Sequence, residues 1–437
     1  MGKALIAALL LALNANAYTV NPSTMTATSD GSAADTQAAV NYAASFNTNG
    51  WTIVVGNRPG GTYTWPALVA VGNNYNVTLR GYANNPVTTI LFNNTGFTGL
   101  YAADNYAVVT VQDFSFGIAP GGTAPTKAML YLDGQGVCFV VSNCTFTAMA
   151  QSKFGIQIAE NDSSQTPGPY GLITHCYWPL PTADTVNCIN VIASGDQLHY
   201  NWTQPSTWGT TNSVVIEDCL FSFPDASITG AAVEAYGGAD ITIRHCTTIN
   251  IPYSFHGFNS GGHDSTRQVE CYNNTMEFPD PMHEAPYAFL LRGGSAYFYN
   301  NTITTSGQNL AQGVTLWNEC ASPANWQAES CAKLLLYPAD YPSFQQVGQG
   351  PNPTLGPAYN PVRIWNNTIP STQYGSITIG PNTVDPRFIS QGLDYFTTAP
   401  SSYTPLVYPY PINGLPPGPP QVVLNPLGPV ARESTLH

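Results

Sequence analysis

A short strand-like pattern recurs along the sequence, and its spacing constrains the fold more than any other feature. Each copy alternates β-branched or aromatic residues with small polar ones, and most copies end in similar tetrads, such as those that begin at Asn143 and Asn300. Aligned on the second position of the tetrad, the copies step by 30, 32, 43, 27, 28 and 27 residues. A step of 27 to 32 residues suits one solenoid rung of three short strands, and the longest step carries an insertion that includes Asp196 to Trp208. The aligned positions are Phe114, Cys144, Cys176, Cys219, Cys246, Asn274 and Asn301.

Two all-β architectures have recurring turn signals, the β-sandwich and the parallel β-helix. A sandwich gives no reason to repeat one residue type at one phase, whereas stacked rungs place equivalent residues over each other about 4.8 Å apart. Only 8% of the residues are charged, which disfavours helical bundles because their exposed faces need many Glu and Lys. The sequence therefore predicts an all-β fold, a right-handed parallel β-helix.

Stacked rungs give the aligned cysteines and asparagines a physical meaning. Asn274, Asn301 and Asn367 are predicted to form a ladder of hydrogen-bonded side-chain amides, which we favour over a role of Asn-x-Thr as a glycosylation sequon. The aligned cysteines are expected to stack inward as free thiols, because the rung separation exceeds the Cβ separation of a disulfide. Cys320 and Cys331 instead flank a loop, and we expect a disulfide there that contributes about 3 kcal/mol.

The two ends of the solenoid are predicted to be capped. Residues 35–44 are expected to form a short amphipathic helix with Asp35 near its N-cap. Beyond Asn382 the repeat is lost, and from Pro400 to Pro429 proline is too frequent for central strands. We expect an N-terminal helical cap and first rung over residues 18–70, the β-helix over 71–381, and an extended proline-rich C-terminal segment over 382–437 that lies along the solenoid.

The first 17 residues have the features of a signal peptide. Lys3 precedes an apolar run from Ala4 to Leu13, and a small-x-small pattern ends at Ala17, where cleavage is expected. A membrane anchor is disfavoured because the run is shorter than the roughly 20 residues that span a bilayer. No later segment is long and apolar enough to form a transmembrane helix. We therefore expect a secreted protein, in the extracellular or periplasmic space or on the cell surface.

Charge limits the class of partner. The net charge is −13, with 12 basic residues, which disfavours nucleic acid because phosphate binding needs a basic surface. The same charge repels a polyuronate at long range, so a polyanionic substrate needs local arginines or bound Ca²⁺. Asp264, Asp280 and Glu284 are candidate Ca²⁺ ligands, but no EF-hand or nonapeptide calcium repeat is present, and no cofactor is assigned.

Several segments resemble a known superfamily. The predicted helix and the strands that begin at Ile53, Gly61 and Asn76 are similar to the N-terminal entry of pectate-lyase-like β-helix proteins. Residues 213–303 and 392–411 resemble secreted bacterial β-helix proteins without an assigned function. The resemblance implies cleavage of acidic or neutral polysaccharides, by lyases that use Ca²⁺ and a basic residue or by hydrolases that use Asp pairs. Neither the Asp-Asp pair of polygalacturonases nor the Asp-His signature of pectate lyases is present, which leaves the reaction open.

Charged residues concentrate in one part of the chain. Thirteen of them and four of the seven histidines lie between Glu217 and Arg292. Glycine pairs in this part are predicted to be tight turns, and odd offsets from those pairs place Glu234, His256 and Arg292 on one face of successive strands. Arg267 joins them as the fourth candidate catalytic residue. Asp264, Glu270 and Trp317 are candidate substrate-binding residues, the last because exposed rings stack on sugars.

The candidate residues fit two reactions unequally. Elimination needs a base beside the C5 proton of a uronate and a cation beside its carboxylate. Arg267 or Arg292 could supply the cation, and His256 or an arginine could act as the base. Hydrolysis needs two carboxylates about 5.5 Å or roughly 6.5 to 9.5 Å apart, and no second carboxylate has the phase of Glu234 in the neighbouring rungs. Structural roles compete with both reactions, because Arg267 and Glu270 could form an ion pair and His256 could be a packed core residue.

The sequence thus supports two functions of different class. The first is a secreted carbohydrate-active β-helix protein, polysaccharide lyase-like rather than a glycoside hydrolase. The alternative is a non-catalytic β-helix that binds glycans or builds a cell-surface or virion structure. Both functions have a polysaccharide or cell-surface glycan as partner, and the sequence leaves open whether the protein is an enzyme.

Overall fold

The computed structural model describes residues 17–411 with internal gaps. The gaps are residues 47, 49, 73–74, 84–86, 97, 106, 136–138, 148–153, 160–169, 180–185, 193–201, 203, 224–229, 258–263, 280–286, 307–309, 311, 318–344, 353–357, 373–374 and 381–388. For residues 103–105, 135, 186 and 380 it describes the backbone alone. The predicted signal peptide, apart from Ala17, and both Cys320 and Cys331 lie outside the described residues, so cleavage and the disulfide stay predictions.

Three sheets contain all the strands of the described residues. The first sheet has 13 strands: β1 Thr19–Asn21, β2 Thr26–Thr28, β3 Trp51–Val55, β6 Val77–Gly81, β9 Val109–Gln112, β12 Phe139–Ser142, β15 Gly171–Thr174, β18 Val214–Glu217, β21 Asp240–Arg244, β24 Gln268–Tyr272, β27 Ser295–Tyr299, β30 Val362–Trp365 and β32 Tyr395–Phe396. The second has nine: β4 Thr62–Trp65, β7 Thr88–Phe92, β10 Phe114–Ile118, β13 Thr145–Phe146, β16 Tyr177–Pro179, β19 Leu220–Ser222, β22 Thr247–Ile249, β25 Thr275–Phe278 and β28 Thr302–Thr305. The third has ten: β5 Val69–Gly72, β8 Thr98–Asn105, β11 Ala128–Gln135, β14 Phe154–Ala159, β17 Val186–Ile192, β20 Gly230–Tyr236, β23 Tyr253–Phe255, β26 Tyr287–Leu291, β29 Gln312–Trp317 and β31 Ile377–Gly380.

The chain visits the three sheets in turn, so each rung supplies one strand to each sheet. Apart from the antiparallel pair β1–β2, every strand pair of the described residues is parallel and in register with the strand one rung away. This is the right-handed parallel β-helix that the repeat predicts. Inward side chains from all three sheets form one continuous apolar core. Aromatic rings stack along it in the second sheet, including Phe146, Trp178 and Phe221 with centroids 5.0 and 4.7 Å apart.

A single residue turns the chain from the first sheet into the second in most rungs. It has a left-handed backbone, with φ between 51° and 66°, which Asn, Asp and His tolerate better than other non-glycine residues. The eight turn residues are Asp113, Asn143, His175, Asp218, His245, Asn273, Asn300 and Asn366. The recurrent Asn, Asp or His before each aligned position therefore has a conformational cause.

The residue after each turn points inward and forms the predicted column. Cys144, Cys176, Cys219 and Cys246 are buried free thiols, as expected. The amide ladder is confirmed as well: the side-chain Nδ2 of Asn274 donates to Oδ1 of Asn301 at 3.0 Å, and that of Asn301 donates to Oδ1 of Asn367 at 3.0 Å. The column satisfies buried polar groups that would otherwise destabilise the core.

Helix α1, Ala33–Ala44, caps the N-terminal end. Its N-cap is Ser32, whose Oγ accepts from the backbone N–H of Asp35 at 3.2 Å. Asp35 therefore lies inside the first turn, and its carboxylate accepts from the backbone N–H groups of Tyr18 and Asp30 at 2.9 and 2.8 Å. Helix α1 has 12 residues, and no helix within the described residues is long and apolar enough to cross a bilayer.

The C-terminal segment after β32 runs back along the outside of the first sheet. Residues 397–411, here called the strap, reach from the last rungs to β15, where Leu406 packs on Leu172 and Val215. Arg244 donates to the carbonyls of Leu406 and Val407 at 2.6 and 3.0 Å. The described part of the proline-rich segment therefore lies along the solenoid, as the sequence predicts, and it covers the first sheet.

Candidate functional site

Three predicted site residues lie side by side on the outward face of the third sheet. Glu234 lies in β20, His256 directly follows β23 and Arg292 directly follows β26, which are neighbouring strands. The backbone N–H of His256 donates to the carbonyl of Ala235 at 2.9 Å, and that of Arg292 donates to the carbonyl of Phe255 at 3.0 Å. Both residues thus continue the parallel pairing one position past their strands. Because the adjacent residues are in the core, these three side chains point outward.

Glu234 and His256 form a close pair. Oε1 of Glu234 contacts Nε2 of His256, and the two side chains are 17% and 18% exposed. A carboxylate oxygen can only accept, so the imidazole carries a hydrogen on Nε2, and Nδ1 is the nitrogen that can accept a proton. The pair is half-buried and reachable from solvent, which is the setting in which a carboxylate orients a histidine for proton transfer.

Two asparagines from β17 hold the other oxygen of Glu234. The Nδ2 atoms of Asn187 and Asn190 donate to Oε2 of Glu234 at 2.6 and 3.0 Å. Their amide orientation is fixed, because Oδ1 of Asn187 accepts from the backbone N–H of Ala231 at 2.8 Å and Oδ1 of Asn190 accepts from Nε2 of Gln157 at 3.1 Å. These donors occupy Oε2 of Glu234 and leave its Oε1 for the histidine. Sequence reasoning missed both asparagines because the insertion separates them from Glu234 by 47 and 44 residues.

A tyrosine and a serine complete the polar surface beside Arg292. Ser254 is in register with Glu234, and the hydroxyl of Tyr287 is hydrogen-bonded to Ser254. Burial raises the pKa of Tyr287, while the bond to Ser254 and the charge of Arg292 oppose that rise and the charge of Glu234 adds to it. Tyr287 is therefore a neutral phenol whose pKa is affected by both the cation and the acid. No feature of the sequence repeat distinguishes it from other tyrosines.

Aromatic residues flank the histidine and the arginine along the solenoid axis. Tyr236 precedes His256 by one rung, and the two rings meet edge to face with centroids 5.6 Å apart. Trp317 follows Arg292 by one rung, because Leu316 is paired with Leu291. We call the four outward residues Tyr236, His256, Arg292 and Trp317 the site column. Its members occupy successive strands about 4.8 Å apart.

Glycine turns follow β20 and β26 in the site, whereas the predicted pair Gly261-Gly262 lies outside the described residues. Gly237 and Gly238 follow β20 with φ of 68° and 75°, and their N–H groups donate to the carbonyls of Asp264 and Ser265 at 2.6 and 2.8 Å. Gly294 has a φ of 73°, and a Cβ there would lie 2.1 Å from the carbonyl oxygen of Thr266. Asp264 is buried in this turn region, where its Oδ1 accepts from Gln345 at 2.6 Å.

Arg267 and Glu270, which the sequence groups with the site, lie on the first sheet under other parts of the chain. Arg267 is 1% exposed and forms an ion pair with Asp240. Glu270 is fully buried and accepts from the backbone N–H of Gly209 at 2.8 Å and from the hydroxyl of Tyr403 in the strap. The expected pair between Arg267 and Glu270 is therefore replaced by separate partners. The structure brings together Glu234, His256, Arg292 and Trp317 and places Asp264, Arg267 and Glu270 elsewhere.

Carboxylates are sparse on the described outward face of the third sheet. The nearest one to Glu234 with a described side chain on that face is Asp133 in β11, three strands away or about 14 Å at the spacing of a sheet. That separation exceeds the roughly 6.5 to 9.5 Å of an inverting pair. Of the candidate Ca²⁺ ligands, Asp280 and Glu284 lie outside the described residues, and within them no three His, Cys, Asp or Glu side chains form a metal cluster.

No protein-family model matches the sequence. No curated protein sequence matches it either. Among solved structures, the crystal structure of alginate lyase from Paenibacillus sp. str. FPU-7 is similar, with 13% sequence identity and a TM-score of 0.40, over 64% of this chain and 98% of that chain. At this TM-score and identity the likeness supports no conclusion about the reaction of this chain.

Proposed function

We propose that the protein is a polysaccharide lyase that cleaves a uronate-containing glycan on the outward face of the third sheet. The observation that carries the proposal is the contact of Glu234 with His256 one rung from Arg292. A base and a cation on adjacent strands match what elimination requires, a proton acceptor beside C5 and a positive charge beside the C5 carboxylate. A glycan would lie along the solenoid axis, across successive strands.

The proposed reaction starts with the carboxylate of the bound uronate on Arg292. Nδ1 of His256 takes the C5 proton, and Glu234 stabilises the imidazolium that forms. Electrons of the C5–H bond form the C4–C5 double bond as the C4–O bond breaks. His256 returns its proton to the departing oxygen, so that the histidine is neutral again and the products are a 4,5-unsaturated uronate and a new hydroxyl end.

The distribution of carboxylates favours elimination over hydrolysis. Glu234 has amide donors and a histidine as neighbours on the described face and lacks the second acid that hydrolysis needs there. The predicted signal peptide fits this reaction, because an exported enzyme can reach polymeric glycans outside the cell. Secretion is therefore part of the proposal.

Purified protein is incubated with uronate polymers and neutral glycans while the ultraviolet absorbance of unsaturated product and the reducing ends are followed. We expect both signals to rise on a uronate polymer, and His256→Ala to lower kcat about 10²- to 10⁴-fold, the usual contribution of a general base. Glu234→Gln should also lower kcat, and Arg292→Ala should lower kcat/KM.

The matched control is His175→Asn, a histidine on a turn between the first and second sheets whose φ of 52° suits asparagine. It should keep wild-type activity. Reducing ends without unsaturated product would show hydrolysis instead and refute the elimination. Glycan binding without turnover would support the alternative, a binding protein, for which the aromatic residues Tyr236 and Trp317 of the site column are the favouring observation.

A further inference from the structure

The site column has one permanent cation. Continuing from Tyr236 toward the N-terminal end, the register places Ile192, Ala159 and Asp133 in line with it. In the other direction Trp317 is followed by Gly380. A pyranose linked through its 4-position advances a glycan by roughly one strand spacing, about 4.8 Å. Each strand thus corresponds to about one sugar, and in the described column only the sugar over Arg292 meets a cation.

The other described cations lie away from the site column. Arg58 lies between β3 and β4, and Arg80 lies in β6 of the first sheet. Arg244 and Arg267 are buried in ion pairs on the first sheet. Arg363 lies over the ring of Phe396 at 4.1 Å. Lys127 precedes β11, so it lies at the N-terminal ends of the strands of the third sheet, whereas the site column lies at their C-terminal ends. With 12 basic residues in 437, the whole chain has few cations to offer a polyanion.

The neighbours of Arg292 in the site column suit neutral sugars. The ring of Trp317 lies one strand beyond the cation, and Tyr236 lies two strands before it. Aromatic faces pack on the apolar faces of sugars and give no compensation to a carboxylate. Glu234 and Asp133 add negative charge on the N-terminal side, where further uronates would be repelled.

Resting on the proposed function, we propose that the substrate is a heteropolysaccharide in which single uronates are separated by neutral sugars, and not a homopolymer of uronate. One uronate lies over His256 and Arg292, and neutral residues lie against Trp317 on one side and Tyr236 on the other. A homopolymer would place a carboxylate at each of these strands and meet one cation in the described column.

The full-length protein is assayed on two uronate homopolymers, polygalacturonate and alginate, and on two polymers that alternate uronate with N-acetylhexosamine, hyaluronan and unsulfated chondroitin. We expect kcat/KM to be at least about tenfold higher on an alternating polymer. Added NaCl should lower KM for the homopolymers, because it screens their repulsion from a protein of net charge −13. Higher kcat/KM on a homopolymer would overturn the inference and leave the proposed lyase activity standing.

A substitution in line with the site column tests whether an added cation increases activity on homopolymers. Ile192→Arg adds a second cation one strand before Tyr236, and it should raise the ratio of homopolymer to alternating-polymer kcat/KM by about tenfold or more. Ile192→Gln, similar in length and uncharged, should leave that ratio unchanged. An unchanged ratio in Ile192→Arg would contradict the inference.

Binding distinguishes failure of the inference from failure of the proposed function. If no polymer is cleaved, the lyase proposal fails, and calorimetric affinities for the same four polymers replace kcat/KM. Tighter binding of an alternating polymer than of either homopolymer would still support the inference. Equal or tighter binding of a homopolymer, or no binding at all, would overturn it.

Discussion

Two outward glutamates show how surroundings decide the role of a residue. Glu234 has two amide donors on one oxygen, a histidine on the other and access to solvent. Glu270 has the hydroxyl of Tyr403 and a backbone N–H as partners and is fully buried. The first arrangement holds the carboxylate of Glu234 in a fixed orientation at a surface that a ligand can reach. The second removes a carboxyl group from water and from ligands, so we assign Glu270 to the packing under the strap and not to the site.

Burial raises the pKa of Glu270 to about 7, above its value near 4.5 in an unfolded chain. The folded state therefore holds this proton between these two values, and the free energy of unfolding decreases as pH rises through that window, by up to about 3 kcal/mol. We expect Glu270→Gln to remove this decrease and to be more stable than wild type at pH 8. Urea unfolding at pH 5 and pH 8 measures both effects.

The control for this prediction is Glu277→Gln, a carboxyl on the outward face of the second sheet. It should keep the pH dependence of the wild-type protein. If Glu270→Gln retains the wild-type loss of stability between pH 5 and pH 8, the buried carboxyl is not its source.

At the scale of elements, a buried ion pair under the strap contributes to holding it on the first sheet. Arg244 contacts Oε2 of Glu217 at 2.7 Å, with both side chains at most 3% exposed, and its remaining donors reach two strap carbonyls and the hydroxyl of Tyr272. The backbone N–H of Tyr410 donates to the other oxygen of Glu217 at 3.1 Å. Backbone groups of the strap thus complete the hydrogen bonding of both Arg244 and Glu217.

Arg244→Met should lower the free energy of unfolding by about 3–5 kcal/mol, because it leaves Glu217 buried without its cation. Urea unfolding measures the loss, and limited proteolysis should show faster cleavage within residues 397–411. The double variant Arg244→Met, Glu217→Gln should recover part of the stability. Arg363→Met, which removes a cation stacked on Phe396, should cost only about 0.5–1 kcal/mol. Equal losses in the two arginine variants would contradict the role of the ion pair.

Over the whole molecule, the amide ladder couples the C-terminal rungs. Oδ1 of Asn301 accepts from the backbone N–H of Asn274 at 3.0 Å, and its Nδ2 also donates to the carbonyl of Cys271 at 2.9 Å. Each rung of a solenoid contacts only its neighbours, so a substitution in one rung lowers the stability of that rung and the adjacent ones more than that of distant rungs. The ladder therefore sets the stability of the last rungs more than that of the first.

We expect Asn301→Ala to cost about 2 kcal/mol or more, because it leaves buried donors of Asn274 without an acceptor. Hydrogen exchange should increase in β24, β27 and β30 and stay at wild-type levels in β9 and β12. Asn300→Gly is the control, since its φ of 54° suits glycine and its stability should be close to wild type. Uniform loss of protection along all rungs would contradict nearest-neighbour coupling.

The sequence by itself determined the rungs, their register and the inward columns. A turn residue with a left-handed backbone, followed by an inward Cys or Asn, fixes the phase of each rung locally, so counting residues predicts which side chains stack. The same counting placed Glu234, His256 and Arg292 on one face, because their strands follow one another without a long insertion. Trp317 was a candidate only as an exposed aromatic ring, and the structure is what places it one rung after Arg292.

Only the tertiary structure decided which charged residues are open to a ligand. Tyr403 lies 133 residues from Glu270, and Leu406 lies 162 residues from Arg244, so no local pattern encodes the burial of the first sheet under the strap. Asn187 and Asn190 reach Glu234 across an insertion that breaks the count. Periodicity determines what recurs along the chain, whereas contacts between distant segments depend on the packing of the folded molecule.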